Sequence, residues 1–372
     1  MYSVRQVSEH TKTYFYIVET SEEGTYICKF PSKYLVHKTR AKASPNTVRR
    51  NAFSLAYYLD FCLENEVTFS DIYHMPYDKQ TEWFVSFLNW LKGQNHIQRE
   101  TKKEISNNTC NTYLEDVFGF YQFLTLHDAQ FDSLKVLIPR STTVVNSIGV
   151  KKHVITHTFR GYLPKERHKG KSIKKDNIII LLKACTNVRN QLLLLLLAET
   201  GFRIGELLGI RYSEDIDFEK HTLRVYFREG NENAARAKYA EYREAKISDE
   251  TFDVLMFYLA TYRDVLKDTD YLFVNLSGEN YGKALKSNAV YAILNELEKK
   301  TGVKVTPHML RHYFADERRK NGWDILLISE ALGHKNIETT RGYLNIENDE
   351  LISANEAFYK KNGSLYMADQ LL

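Results

Sequence analysis

The chain has 372 residues, 43% hydrophobic and 26% charged, which is long for one compact core and predicts two or three globular domains in a soluble protein. Its 51 Lys and Arg against 47 Asp and Glu leave a net charge of +4, so a polyanionic partner has to be sought in local charge runs rather than in the total. Cys28, Cys62, Cys110 and Cys185 lie far apart in no metal-like spacing, the N-terminus has no apolar leader core, and the longest apolar run (192–198) is too short to span a bilayer; a cytoplasmic protein without a membrane segment is expected.

Residues 1–39 read as a β-rich arm. Aromatic and β-branched residues (14–18 and 25–28) flank Glu22-Glu23-Gly24, the pattern of a small hairpin. A helical domain is expected over 40–130. Ser44-Pro45 is a helix start, with serine to cap and proline suited to the first turn, and Val48, Ala52, Leu55, Leu59 and Cys62 then recur at intervals of three and four. A second helix is expected over 78–91, burying Trp83, Phe84, Phe87 and Leu91. A third begins near Ser106 with Leu114, Val117, Phe118, Tyr121 and Leu124 on one face. Arg49 and Arg50 point away from the apolar face and are candidate phosphate contacts, although a helical interaction module with no role on DNA would show the same apolar pattern.

A basic linker is expected over 131–170. The stretch 151–175 holds nine Lys or Arg and one acid, Glu166, so it is +8 in a chain that is +4 overall and the remainder is net acidic. Lys151, Lys152, Arg160, Lys169 and Lys171 suit contacts to a phosphate backbone, and a solvated linker is the other reading of the same run.

The second half begins with a helix from about 176, the apolar run 192–198 and a break at Thr200-Gly201. Arg203 and Glu206 follow, three residues apart and on one face of a short helix, where the carboxylate can fix the guanidinium. Residues 216–228 and 243–247 read as antiparallel strands with a basic turn between them, and helices are expected over 249–265 and 287–300. The run from His308 to Leu344 reads as three short amphipathic helices that concentrate His308, Arg311, His312, His334 and Tyr343. Arginine and histidine are poor core fillers and good holders of a phosphate gaining negative charge, and a tyrosine beyond the last histidine is a potential nucleophile. The fold class that results is mainly α with a small antiparallel sheet.

The segment TGFRIGELLGIR resembles the first arginine box of the tyrosine recombinases of the phage-integrase family. HMLRHYFA resembles that family's His-x-x-Arg box, and LGH followed nine residues later by Tyr343 resembles its terminal histidine and nucleophile box. The stretch from Arg224 to Ser248 further resembles the β-turn of transposon-encoded members of the transposase A type. The resemblance implies a helical core-binding domain over 40–130 and a catalytic domain over 171–347. It implies that Tyr343 attacks a DNA phosphodiester to leave a 3′-phosphotyrosyl link, that Arg203 and Arg311 clamp the phosphate, and that His308 and His334 bond to it. Lys238 would be the general acid for the leaving 5′-oxygen, with Lys246 and Arg236 as competing candidates, and Glu206 a support for the arginines. His312 is expected to pack. Tyr313 and Tyr359 are rival nucleophiles by residue type alone. A covalent intermediate preserves the bond energy, so strand joining is expected to need no metal and no cofactor. The tail 348–372 has Leu351, Ala354 and Phe358 at helical spacing and either docks on a neighbouring protomer or folds back on its own domain. The expected function is site-specific recombination of double-stranded DNA by a homo-tetramer. A type IB topoisomerase and a catalytically silent DNA-binding accessory protein are the alternatives.

Overall fold

A computed structural model describes residues 1–9, 12–22, 24–94, 105–145, 149, 151–166, 170–228, 230–233, 235, 242–334 and 339–340, with the Lys152 side chain excepted. The chain divides into two compact units, Met1–Arg167 and His168–Leu372.

The first unit opens with an antiparallel sheet, β1 (Tyr2–Glu9), β2 (Lys12–Ser21) and β3 (Gly24–Ile27), in the order β1-β2-β3. The expected hairpin is the β2-β3 pair, closing at Ser21↔Gly24, and β1 adds a further strand in register Tyr2↔Glu19. Alternation along β2 buries Phe15 and Ile17. Helix α1 (Lys29–Arg40) follows directly, an element the sequence pattern did not announce because its twelve residues bury little beyond Pro31, Tyr34 and Leu35.

Helices α2 (Pro45–Glu64), α3 (Tyr77–Lys92) and α4 (Asn107–His127) carry the apolar faces read from the sequence. Ser44 and Ser106 each accept a bond from the backbone N–H three residues on, at 3.2 Å, satisfying donors that a helix start leaves open. Their core is aromatic, and Tyr58 and Tyr121 meet hydroxyl to hydroxyl at 2.6 Å inside it. Part of the stretch expected as linker forms an antiparallel ribbon, β4 (Pro139–Val145) with β5 (Lys151–His157).

The second unit is built around α6 (Val188–Thr200), whose leucines at 192–194 and 196–197 are all buried. A helix apolar on every side must be enclosed, and α8 (Asp249–Thr261) and α11 (Pro307–Lys320) pack on it. Helix α5 (Lys175–Ala184) precedes it and α7 (Ile204–Leu207) follows. A small antiparallel sheet runs in the order β6 (Ile216–Asp217), β7 (Thr222–Val225), β8 (Arg243–Lys246). Helices α9 (Arg263–Leu266), α10 (Ser287–Thr301) and α12 (Ile325–Leu332) complete the unit. The protein is therefore mainly helical with small antiparallel sheets. Among the described residues no helix is long and apolar enough to cross a membrane.

Candidate active site

Three chain turns bring the site together. Helix α6 ends at Gly201, which has φ +63°; a Cβ there would lie 2.6 Å from the Phe314 ring, so glycine satisfies both the backbone conformation and the packing. Two residues on, Arg203 caps α7. Its backbone N–H donates to Glu206 Oε2 and its Nη1 to Glu206 Oε1, both at 2.8 Å. The sequence spacing of three thus becomes a bidentate lock in which Glu206 is buried and Arg203 keeps 28% of its side-chain surface.

Helix α11 starts on Thr306, whose hydroxyl accepts from the Met309 N–H, with Pro307 in the first turn. That start places His308, Arg311 and His312 at spacings of three and four along one side of the helix. Arg311 is 1% exposed, an unusual burial for a guanidinium. Its Nη1 donates to the Gly201 carbonyl at 2.5 Å and its Nη2 to the Leu332 carbonyl at 2.6 Å. Both acceptors close helices, α6 and α12, and a cation at a helix C-terminus is favoured by the aligned peptide dipoles. One side chain therefore ties the first arginine box to the terminal histidine box.

Asp324 caps α12, which ends on Gly333 at φ +62°, and the His334 N–H then returns to the Ser329 carbonyl at 3.0 Å. His334 Nε2 lies 2.9 Å from Arg311 Nη2, and its Nδ1 lies 2.9 Å from the Thr340 hydroxyl. Because a guanidinium only donates, Nε2 is the acceptor and Nδ1 carries the proton toward Thr340. The His334 pKa is pushed down to about 3, first by burial and then by the charges of Arg311, Arg203, Arg243 and His312. Burial, followed by Arg311, His312 and Arg203, also lowers the pKa of His308, which stands at the solvent side of the cluster. Burial would raise the pKa of Glu206, but Arg243, the Arg203 N–H, Arg203 and Arg311 together outweigh it, and the carboxylate is held below its usual range.

Arg243 was not singled out from the sequence. It opens β8, where its Nη2 is 2.7 Å from Glu206 Oε1 and its Nη1 donates to the Ala331 carbonyl at 3.1 Å. Gly333 leaves room for it: a Cβ there would lie 2.6 Å from the Arg243 Cζ. A signal was present, since Ala245 and Ile247 alternate onto the inner side of the strand and put Arg243 with them. Thr340, fully buried, is the other residue the sequence reading passed over.

The remaining candidates are placed as follows. His312 is buried and meets Gly170 so closely that a Cβ on that glycine would sit 2.0 Å from the imidazole. Tyr313 packs against the core of the unit, and Lys246 is exposed on β8. Arg49 is exposed and lies over the Phe53 ring, whereas Arg50 is bound through Nε and Nη2 to Asp116 at 2.9 and 2.8 Å. Lys151, Arg160 and Lys171 are exposed. Lys238, Arg236, Tyr343, Tyr359, Lys169, the Lys152 side chain and the tail lie outside the described residues.

What remains is a cationic pocket of fixed donors in which three guanidinium groups gather around one carboxylate and both histidines are held neutral. Such a site is suited to stabilising an oxyanion or a phosphoryl group gaining charge.

Residues 171–350 match the phage integrase family. Transposase A from transposon Tn554 of Staphylococcus aureus is 28% identical over 327 residues, which cover 86% of this chain and 88% of that protein. Tyrosine recombinase XerA of Pyrococcus horikoshii is 34% identical over 186 residues, 50% of this chain and 60% of that one. Among solved structures, the XerH site-specific recombinase bound to palindromic difH substrate in a post-cleavage complex shares the fold, with a TM-score of 0.61 at 17% identity, covering 89% of this chain and 85% of that chain.

Proposed function

The chain belongs to the phage integrase family of tyrosine recombinases and is a site-specific DNA recombinase, and on that premise we propose that it cuts each strand with Tyr343 and rejoins it from a 3′-phosphotyrosyl intermediate. The observation that carries this reading is the convergence of Arg203, Arg311 and His334 from three separate sequence boxes, joined by the bonds from Arg311 to Gly201, Leu332 and His334.

In this reading Arg203, partly exposed, and His308, at the solvent side, meet the scissile phosphate. Arg311 is held by its bonds to two helix-end carbonyls and to His334, which use three of the five N–H donors of a guanidinium. Its charge acts on the phosphate from that fixed position. A neutral His334 keeps the positive charge of the pocket on the guanidiniums and offers a proton only through Nδ1. Lys238 supplies the proton to the leaving 5′-oxygen. Tyr343 forms the new P–O bond as the 5′-oxygen leaves and gives its phenolic proton to His308, and the reverse attack by a 5′-hydroxyl from the partner strand returns the protons and releases the tyrosine, so each step conserves the phosphodiester energy.

Transposition or integration fits the likeness to transposase A over most of both chains. Work as a homo-tetramer on two duplexes, held through the tail, and a cytoplasmic location complete the proposal. A suicide duplex bearing the recombination site is expected to trap a covalent adduct with the wild-type chain. Tyr343→Phe is expected to bind that duplex with unchanged affinity and to form none. An adduct on Tyr343→Phe would assign the nucleophile elsewhere, and site-independent plasmid relaxation would point to topoisomerase action.

A further inference from the structure

Among the described residues the β4-β5 ribbon has no third strand, and a lone two-stranded ribbon is marginal in water. Its root is nevertheless fixed in the core of the first unit. Phe159, fully buried, donates its N–H to the Val136 carbonyl at 2.9 Å, and the Val136 N–H donates to Gln80 Oε1 at 3.2 Å. The cross-strand register Ser141↔Ile155, Thr143↔His153 and Val145↔Lys151 puts those six residues on one face, and all six are exposed. Ile155 shows 78% of its surface and Val145 55%. On the opposite face Thr142, Val154 and Thr156 are half-buried, whereas Arg140 and Val144 are exposed, so that face is covered only in part.

Charge selects the occupant. From residue 133 to residue 165 the sequence contains no Asp or Glu, while it contains six Lys or Arg. A second copy meeting this ribbon would bring together two segments that are each positive and contain no acid, which disfavours it, although Lys151 is the one Lys or Arg on the six-residue face itself. A duplex offers the complementary charge, and its major groove is wide enough for a two-stranded ribbon. Seven residues per strand give a ribbon about 24 Å long, matched to roughly seven base pairs of groove. The open face has the chemistry for reading base edges: hydroxyls on Ser141 and Thr143, the His153 imidazole bonded across the strands to Thr143 at 3.2 Å, and methyl groups on Ile155 and Val145 that can meet thymine.

We propose that the β4-β5 ribbon lies in the DNA major groove with this face against the bases and contributes sequence discrimination separate from the catalytic pocket. The proposal rests on the recombinase reading and adds a recognition element to it.

The test uses the full chain and duplexes selected by the wild-type protein from a randomised library. Ile155→Glu and the double variant Thr143→Ala, His153→Ala alter only exposed side chains, so thermal melting is expected to match wild type. Their affinity for the selected duplex relative to a scrambled one is expected to fall by about 10-fold or more, with methylation of guanine N7 interfering with wild-type binding in the ribbon's footprint. A ratio within about twofold of wild type would overturn the proposal. So would variants that lose self-association in sedimentation while their discrimination is intact, because the face would then belong to a second copy. Wild-type protein that binds the selected duplex and never forms a covalent adduct would instead count against the recombinase reading.

Discussion

Each unit contains a buried carboxylate bound to arginine, and the two sites differ in their charge balance. In the first unit Asp116 holds one guanidinium, Arg50, in a fork of two bonds, with Ser54 adding a third at 2.8 Å. In the second unit Glu206 is shared by Arg203 and Arg243 and feels the field of Arg311. One cation per anion closes a site electrically and serves to join α2 to α4. Three cations per anion leave a positive potential that a phosphate can answer, at the expense of a core that depends heavily on a single carboxylate. The same pair of residue types gives a closed ion pair in one place and a positive cluster in the other because of stoichiometry and surroundings, not residue identity.

The largest effect is expected where the unbalanced cluster loses its anion. Glu206→Gln leaves Arg203 and Arg243 without a counter-ion and is expected to destabilise the folded chain by about 3–5 kcal/mol, read from denaturant unfolding. Asp116→Asn is the matched change; because Arg50 is half in solvent, it is expected to cost only about 1–2 kcal/mol and to leave adduct formation on bound DNA unchanged. Equal losses in the two variants would remove the distinction drawn between the sites.

Next is Arg311→Lys. A lysine cannot serve two helix ends and His334 at once, and strand cleavage in single turnover is expected to drop by roughly 10²–10³-fold while duplex affinity changes little. Arg243→Ala is expected to have a smaller effect, on the order of 10-fold, because it acts by holding Glu206 and the Ala331 carbonyl. Its distinguishing readout is the His334 titration followed by NMR, which is expected to move upward from about 3 once one of the charges that depress it is gone.

The pH dependence follows from the same cluster. In the unfolded chain His334 takes up a proton near its ordinary pKa of about 6.5, whereas in the folded chain it resists protonation down to about 3. Stability is therefore expected to fall as pH drops from about 6.5 toward 3, because only the unfolded state gains the proton across that window. His334→Gln is expected to flatten that part of the stability curve, and an unchanged slope would show that the imidazole is not held neutral. The smallest effect is expected at Arg49. Its replacement by Ala is expected to weaken duplex binding a few-fold and reduce the salt slope by about one, with no change in melting.

Much of the site was legible from local spacing. His308, Arg311 and His312 share one side of α11 by helical spacing, whereas Arg203 meets Glu206 as the extended residue that caps α7, so the spacing of three foretold the pair but not its geometry. The starts of α2 and α4 were equally legible, because Ser44 and Ser106 complete their bonds within three residues. Arg243 was hidden because its partners are Glu206 and Ala331, reached only when β8 packs beside α7 and α12. The burial of Arg311 was hidden for a similar reason: alone on a helix an arginine is expected at the surface, and only two helix ends arriving from elsewhere make its burial favourable. The ribbon was hidden by composition, since a basic run reads as solvated chain until the pairing of β4 with β5 sorts it into two faces.

The sequence by itself determined most of the helical segments and the caps at Ser44 and Ser106, because each of these is settled within a turn or two of chain. Only the tertiary structure decided which arginines share Glu206, which nitrogen of His334 carries its proton, and that Arg311 is enclosed. Those depend on groups up to 110 residues apart meeting within bonding distance, and on the field they create together once water is excluded.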